Sequence, residues 1–204
     1  MPMQDPMVTE RRTLIKRTLA GCQSLLNVGC GAHDVRLFGV PANTGIELHK
    51  PTLDRAVAAK THDQFVHGDV REIRKYFPDK SFDACLCVDV IEHLPKEEGS
   101  RLLDDMERIA RNVVVVICPV GWLDQQHYEE GDLMDHHSAW VPADLRTRGY
   151  AVQGLLGWSK LRGESHALKY RPRIIWGVVS LLTQQWTRQH PERAASMFAV
   201  KRLA

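Results

Sequence analysis

No uninterrupted apolar stretch reaches the ~18 to 20 residues that a membrane span requires, so no transmembrane segment is expected. The opening MPMQDPMVTERR lacks the continuous apolar core of a secretory signal, and a cytoplasmic location is expected. Charge of one sign is scarce too: 27 basic against 25 acidic residues leave a formal charge of +2. That excludes the strongly basic footprint of a nucleic-acid binder, so no nucleic-acid partner is expected. The five cysteines (Cys22, Cys30, Cys85, Cys87, Cys118) are odd in number and sit in or beside apolar runs, which reads as reduced core thiols. Cys85 and Cys87 share a face of a strand-like run, but CxxC spacing and neighbouring ligands are missing. Internal repeats, low-complexity tracts and linkers are absent, and 204 residues suit one domain whose core needs no staples.

What is present alternates. Residues Val8 to Ala20 fit an amphipathic leading helix that stops near Gly21. Apolar runs follow at Ser24–Val28, Ala42–Leu48, Gln64–His67, Ser81–Asp89 and Asn112–Cys118. Helical patterns lie between them, after Pro51, around Arg71 to Tyr76, and from Lys96 to Ala110 with Leu102, Leu103, Met106, Ile109 and Ala110 on one face. Strands alternating with helices predict a βαβ series with a parallel sheet. Beyond Gly121 the signal weakens. A polar loop from Trp122 to Ser138 carries Glu129, Glu130, Asp132 and Asp135 ahead of His136-His137. A short helix at Pro142–Arg148, a strand at Tyr150–Leu155, a helix at Ile174–Trp186 and a last strand at Ser196–Lys201 complete the pattern.

The first strand delivers Asn27-Val28-Gly29-Cys30-Gly31 to a tight turn, where glycine lets a ligand approach the backbone. In open α/β sheets, ligands bind outside the carboxyl ends of the strands. Gly29-x-Gly31 does not complete GxGxxG, so the turn alone says little. Glu47 ends the next strand, where a carboxylate can accept from both hydroxyls of a ribose. The alternative for Glu47 is a solvated acid before a helix; the glycine turn upstream favours the ribose. Asp69 closes the third strand and suits either an adenine amine or the N-cap of the helix that follows, with the two roles evenly balanced.

Taken in order, these stretches resemble the class I S-adenosylmethionine-dependent methyltransferases, in particular the type 11 small-molecule group. The match lies in Leu25–Gly31, Thr44-Gly45-Ile46-Glu47 with Leu53 and Ala56, His67-Gly68-Asp69-Val70, and Ser81–Ala84 through Asp89–Leu94. It covers about residues 24 to 120. The resemblance implies a Rossmann-like three-layer α/β sandwich whose seven-stranded, mostly parallel sheet ends in an antiparallel strand. It implies a leading helix over 1–23, a donor-binding core over 24–120, and acceptor-side and C-terminal elements over 121–204. S-adenosylmethionine would bind through Asn27, Gly29, Cys30, Gly31, Glu47, Leu48, Asp69, Val70 and Asp89, leaving S-adenosylhomocysteine as product. Asn27 stands where the family usually has an acid, and His33 where many members have a third glycine.

Methyl transfer from a sulfonium is an in-line displacement, so positioning can supply most of the catalysis. If the acceptor must lose a proton, His93, His136 and His137 are the candidate bases, although loop histidines are more often polar surface. Asp89-x-x-Glu92-His93 resembles a divalent-metal arrangement of quinone-pathway O-methyltransferases, but Glu-His-Leu is common without metal and none is assigned. The acceptor is expected to be a small molecule or biosynthetic intermediate, anionic or lipid- or sugar-linked, between Trp122–Trp140 and Trp158–Arg173. The stripe Ile174, Ile175, Val178, Val179, Leu182, Trp186 is expected to pack on the sheet edge or at a homodimer contact. Lys160, Arg162, Lys169, Arg171 and Arg173 before it read as a solvated basic face, with docking of an anionic or lipid-linked acceptor, or of a membrane surface, the less favoured alternative. Two rival functions stand: a non-catalytic methyltransferase-like partner subunit, and an NAD(P)-dependent oxidoreductase, which leaves Gly68-Asp69 and Asp89–Leu94 unexplained.

Overall fold

The computed structural model describes residues 6–122, 135–163 and 167–203. Glu129, Glu130, Asp132 and Glu164 lie outside the described residues. The chain forms α1 (Pro6–Thr18), β1 (Ser24–Val28), β2 (Ala42–Glu47), α2 (Lys50–Ala58), β3 (Gln64–His67), β4 (Phe82–Val88), α3 (Lys96–Ile109), β5 (Ala110–Pro119), α4 (Pro142–Arg146), β6 (Ala151–Trp158), α5 (Arg173–Gln189) and β7 (Ala194–Arg202). The expected helix at Arg71–Tyr76 is a 3-10 segment, Val70–Lys75, with Asp69 as its N-cap.

The strands build one seven-stranded sheet in the order β3-β2-β1-β4-β5-β7-β6. Strands β1 to β5 pair in parallel, for example Val28 with Ile46 on one side and with Cys87 on the other. Strand β7 inserts antiparallel between β5 and β6, as the expected last strand requires. Side chains alternate across a strand, so runs such as Val113–Val116 must be apolar on both faces. Val114 and Val116 join Leu26, Cys85 and Cys87 under Leu102, Leu103, Met106 and Ile109 of α3. Val113 and Val115 join Leu25, Ala84 and Leu86 under Ile15 and Leu19 of α1. All five cysteines are buried and free, as their apolar settings predict.

One helix departs from expectation. In α5 the buried residues are Ser180, Gln184 and Thr187, whereas Ile174, Ile175, Val178, Leu181, Leu182 and Trp186 are exposed. The stripe, expected on the sheet edge or at a homodimer contact, faces outward, which rules out the sheet edge. The physical reason lies in β6, which bulges between Leu155 and Trp158 and carries positive φ at Leu156 (65°) and Gly157 (70°). The bulge frees backbone groups that need partners, and polar side chains of α5 supply them. Gln184 accepts from Gly157 N–H (2.6 Å) and donates to the Gly154 carbonyl (3.2 Å). Thr183 Oγ1 accepts from Trp158 N–H, and Ser180 Oγ donates to the Leu156 carbonyl.

Candidate active site

Because β1 to β4 run parallel, their carboxyl ends bring Gly29, Glu47, Asp69 and Asp89 to one edge of the sheet. Gly29 and Gly31 take positive φ (62° and 53°), which residues with a Cβ adopt only under strain. At Gly29 there is also no room: a Cβ would meet Val90 Cγ2 at 2.5 Å. The turn after β1 is therefore specified by conformation and by packing together.

Glu47 ties this turn to the end of β2. Its Oε2 accepts from Gly31 N–H at 3.0 Å and its Oε1 from His49 N–H at 2.9 Å. Each carboxylate oxygen keeps a second lone pair, so the side chain can still accept from vicinal hydroxyls. Leu48 is held beside it, its carbonyl accepting from His67 Nε2 at 2.9 Å. Cys30 is buried and its thiol pushed up to about 12 by burial first and by the Glu47 charge second, which makes it a packing group. Asp69 is engaged as a cap: it accepts from Arg71 N–H at 2.9 Å and pairs with the Arg71 guanidinium. Those Arg71 bonds hold the Asp69 carboxyl below its ordinary value. Val70 beside it is buried.

Asp89 also adopts positive φ (53°), an uncommon backbone state of the kind that collects at binding sites. Its Oδ2 pairs with Arg11 at 3.3 Å, and its Oδ1 is buried with no hydrogen-bond partner. Glu92, 3% exposed, likewise has an unpartnered Oε2. Burial, reinforced by the Asp89 charge, pushes Glu92 well above the usual carboxylate range. These two carboxyls present unused polar atoms at the edge that the glycine turn also borders.

The segment after the loop is pinned to the same edge. The Glu92 carbonyl accepts from His137 N–H (2.8 Å) and Ser138 N–H (3.1 Å). Trp140, fully buried, donates from Nε1 to the Ile91 carbonyl at 3.2 Å, and Lys96 lies 3.8 Å over its ring while pairing with Asp144 at 2.6 Å. This clamp sets His136 against His93, ring centroids 4.9 Å apart. His93 Nδ1 faces the Asp135 carbonyl at 3.1 Å and so carries the proton, leaving Nε2 as the basic nitrogen. Burial lowers the His93 pKa, which keeps the ring neutral. Glu92, His93 and His136 each offer a ligand atom within 4.8 Å of the others, a grouping to which the sequence assigned no metal.

His137 contributes its backbone N–H to that clamp, and its side chain is exposed. Asn27 does not face the turn: its amide donates to His62 Nε2 at 3.0 Å, with both residues buried. Arg11, His62, Lys96 and Trp140 were missed in the sequence. Each acts through partners 35 to 78 positions away, as in Asn27–His62 and Arg11–Asp89, and no local spacing signals such a pair.

Residues 26–118 match a methyltransferase domain family, the type 11 group. Sterol 24-C-methyltransferase erg-4 of Neurospora crassa is 34% identical over 85 residues, which cover 37% of this chain and 22% of that protein. The match thus spans about a fifth of that relative's length. Among solved structures, a SAM-dependent methyltransferase from Archaeoglobus fulgidus is similar with a TM-score of 0.58 at 17% identity, covering 94% of each chain. A putative methyltransferase from Bacillus halodurans is similar with a TM-score of 0.58 at 15% identity, covering 95% of this chain and 98% of that one. At these identities the structural likeness establishes the fold. Residues 26–118, which hold the glycine turn and the four strand ends, thus carry a methyltransferase domain of the type 11 group, set in a chain with the Rossmann-like fold of S-adenosylmethionine-dependent methyltransferases.

Proposed function

We propose that this protein transfers the methyl group of S-adenosylmethionine to a small molecule or biosynthetic intermediate, anionic or lipid- or sugar-linked, held between the carboxyl edge of the sheet and the segments flanking Trp140 and Trp158. The observation that carries the donor reading is Glu47, fixed at the end of β2 by Gly31 and His49 N–H groups with lone pairs left over. Bound S-adenosylmethionine supplies an electrophilic methyl group on a sulfonium.

The placement of the chain's own residues supports a role for each. Gly29 and Gly31 let the backbone approach the donor, Glu47 would accept from its ribose hydroxyls, and Asp69 and Val70 would border its adenine. Asp89, with Oδ1 unpartnered, would accept from the donor's amino end. His93 is the base that the geometry favours, neutral and with Nε2 free to take a proton from an acceptor hydroxyl or amine. His136 packs beside it and would orient its ring. His137 serves by its backbone rather than by its side chain.

A thermal-shift and calorimetry comparison of S-adenosylhomocysteine with NAD(H) and NADP(H) tests this reading. Stabilisation by S-adenosylhomocysteine alone is expected, and stabilisation by a nicotinamide nucleotide alone would overturn it. One observation favours a second reading, a donor-free partner subunit: the Asn27 amide is already committed to His62 and away from the turn. A well-folded protein that binds neither the donor nor its demethylated product would establish that role.

A further inference from the structure

Helix α5 is built inside out, and its polar face is locked in place. Ser180, Thr183 and Gln184 bond the bulged backbone of β6, so a rotation bringing the apolar face inward would orphan those groups. The outward face therefore holds Ile174 (83% exposed), Ile175, Val178, Leu181, Leu182 (74%) and Trp186 as a fixed surface. Residues three and four apart are neighbours on a helix, so 174, 178, 181 and 182 form one stripe. A contiguous apolar stripe on the surface marks an interaction site.

The setting of the stripe selects its partner. From Ser165 to Pro191 the sequence has Lys169, Arg171, Arg173 and Arg188 and no acidic residue. Lys169, Arg171 and Arg173 are exposed at the N-terminal end of the stripe, and Arg171, Pro172 and Arg173 line an open hollow of about 510 Å³. Aromatic residues bracket it: Tyr170 against Trp176 at one end, Trp186 stacked on His190 at the other. Arg188 at the far end is paired with Glu10, so the uncompensated charge is Lys169, Arg171 and Arg173, and two copies packed side by side in parallel would bring these onto their own counterparts. An anionic lipid surface offers the complementary charge, with headgroup phosphates for the arginines and an acyl boundary for the stripe. No helix among the described residues is long and apolar enough to cross a membrane, so the contact lies on the surface.

We propose that α5 docks this protein onto anionic membrane surfaces, its axis in the interfacial plane and its Ile174–Trp186 stripe in the headgroup–acyl boundary. The contact is independent of donor binding. Vesicle flotation of the full chain, with phosphatidylcholine alone or with about one-quarter phosphatidylglycerol, tests it. Binding to the anionic vesicles only is expected, weakening as salt rises to about 0.5 M. The pair Ile174→Ser/Leu182→Ser and, separately, Arg171→Glu/Arg173→Glu should each lower binding at least about tenfold with unchanged melting temperature. Light scattering after size exclusion is run on the same proteins. Absence of binding by the wild type, or undiminished binding by both variants, would overturn the proposal. So would a dimer that the serine pair dissociates, which would make the stripe a self-contact.

Discussion

Asn27 Nδ2 lies 3.0 Å from His62 Nε2 in a buried hydrogen bond that joins β1 to the turn before β3. The amide donates, so His62 Nε2 must accept and Nδ1 must hold the proton, which it shares with Thr61 Oγ1 at 2.9 Å. An imidazolium would set a donor against a donor at Asn27. The acid that the family usually places here would pair with a charge, whereas Asn27 works as part of a neutral core network.

The network makes stability pH-dependent. Burial pushes His62 from its ordinary 6.5 to about 4, so below pH 6.5 the unfolded chain takes up a proton that the folded chain refuses. Stability from this residue is complete above pH 6.5 and is lost as pH falls toward 4, by about 3 kcal/mol in all. Urea unfolding of wild type and His62→Gln at pH 7 and pH 5 measures it. The variant should lose less stability between the two, and parallel curves would refute the assignment.

Glu47→Ala removes the turn's tether and, in the proposed function, the group that accepts from the ribose. S-adenosylhomocysteine binding should weaken by about 1–3 kcal/mol, the range of charge-assisted hydrogen bonds. Calorimetry reads the change directly. Full affinity in a folded variant would mean that the ribose is held elsewhere.

Gly29→Ala would put a methyl group 2.5 Å from Val90 Cγ2 on a backbone with φ of 62°. The left-handed backbone alone costs about 1–2 kcal/mol, and Val90 must move as well. Lower melting temperature and lost S-adenosylhomocysteine binding are expected. Adding Val90→Ala should recover part of the stability, since it relieves the contact and leaves the backbone strain.

Two substitutions on α5 should rank opposite to hydrophobicity. Gln184→Ala leaves Gly157 N–H and the Gly154 carbonyl unpaired in a buried place and should cost about 1–3 kcal/mol. Leu182→Ser, at 74% exposure, should stay within about 0.5 kcal/mol of wild type. Denaturant midpoints decide. The reverse order would mean that the helix packs by its apolar face.

The parallel core was readable because its strands are buried on both faces, which leaves unbroken runs such as Asn112–Cys118 that few other elements produce. Strand β1 and strand β3 begin and end where the sequence places them. Ala110 did not: it fits the α3 periodicity, yet its backbone is already extended as the cap of that helix and the first residue of β5. Local pattern also misread α5, because the decisive term is a bulge in another element whose backbone recruits Ser180, Thr183 and Gln184. At the site, the glycines and strand-end acids were visible in order. The Arg11–Asp89 pair and the Trp140 clamp were not, since each joins segments far apart in sequence.

The same polar seat on β6 has a bearing on solution behaviour. β6 is the outer strand of the sheet, and such margins invite a neighbouring chain to add a strand. Between Gly154 and Trp158, however, the backbone groups bonded by Ser180, Thr183 and Gln184 are no longer free to template one. A Cβ at Gly154 would also strike the Thr187 carbonyl oxygen at 2.2 Å, so the helix backbone lies tight against the face of β6 at this point. The side of the sheet carrying β6 is closed to amyloid-like stacking and to strand exchange over this stretch, whatever the apolar stripe beyond it touches.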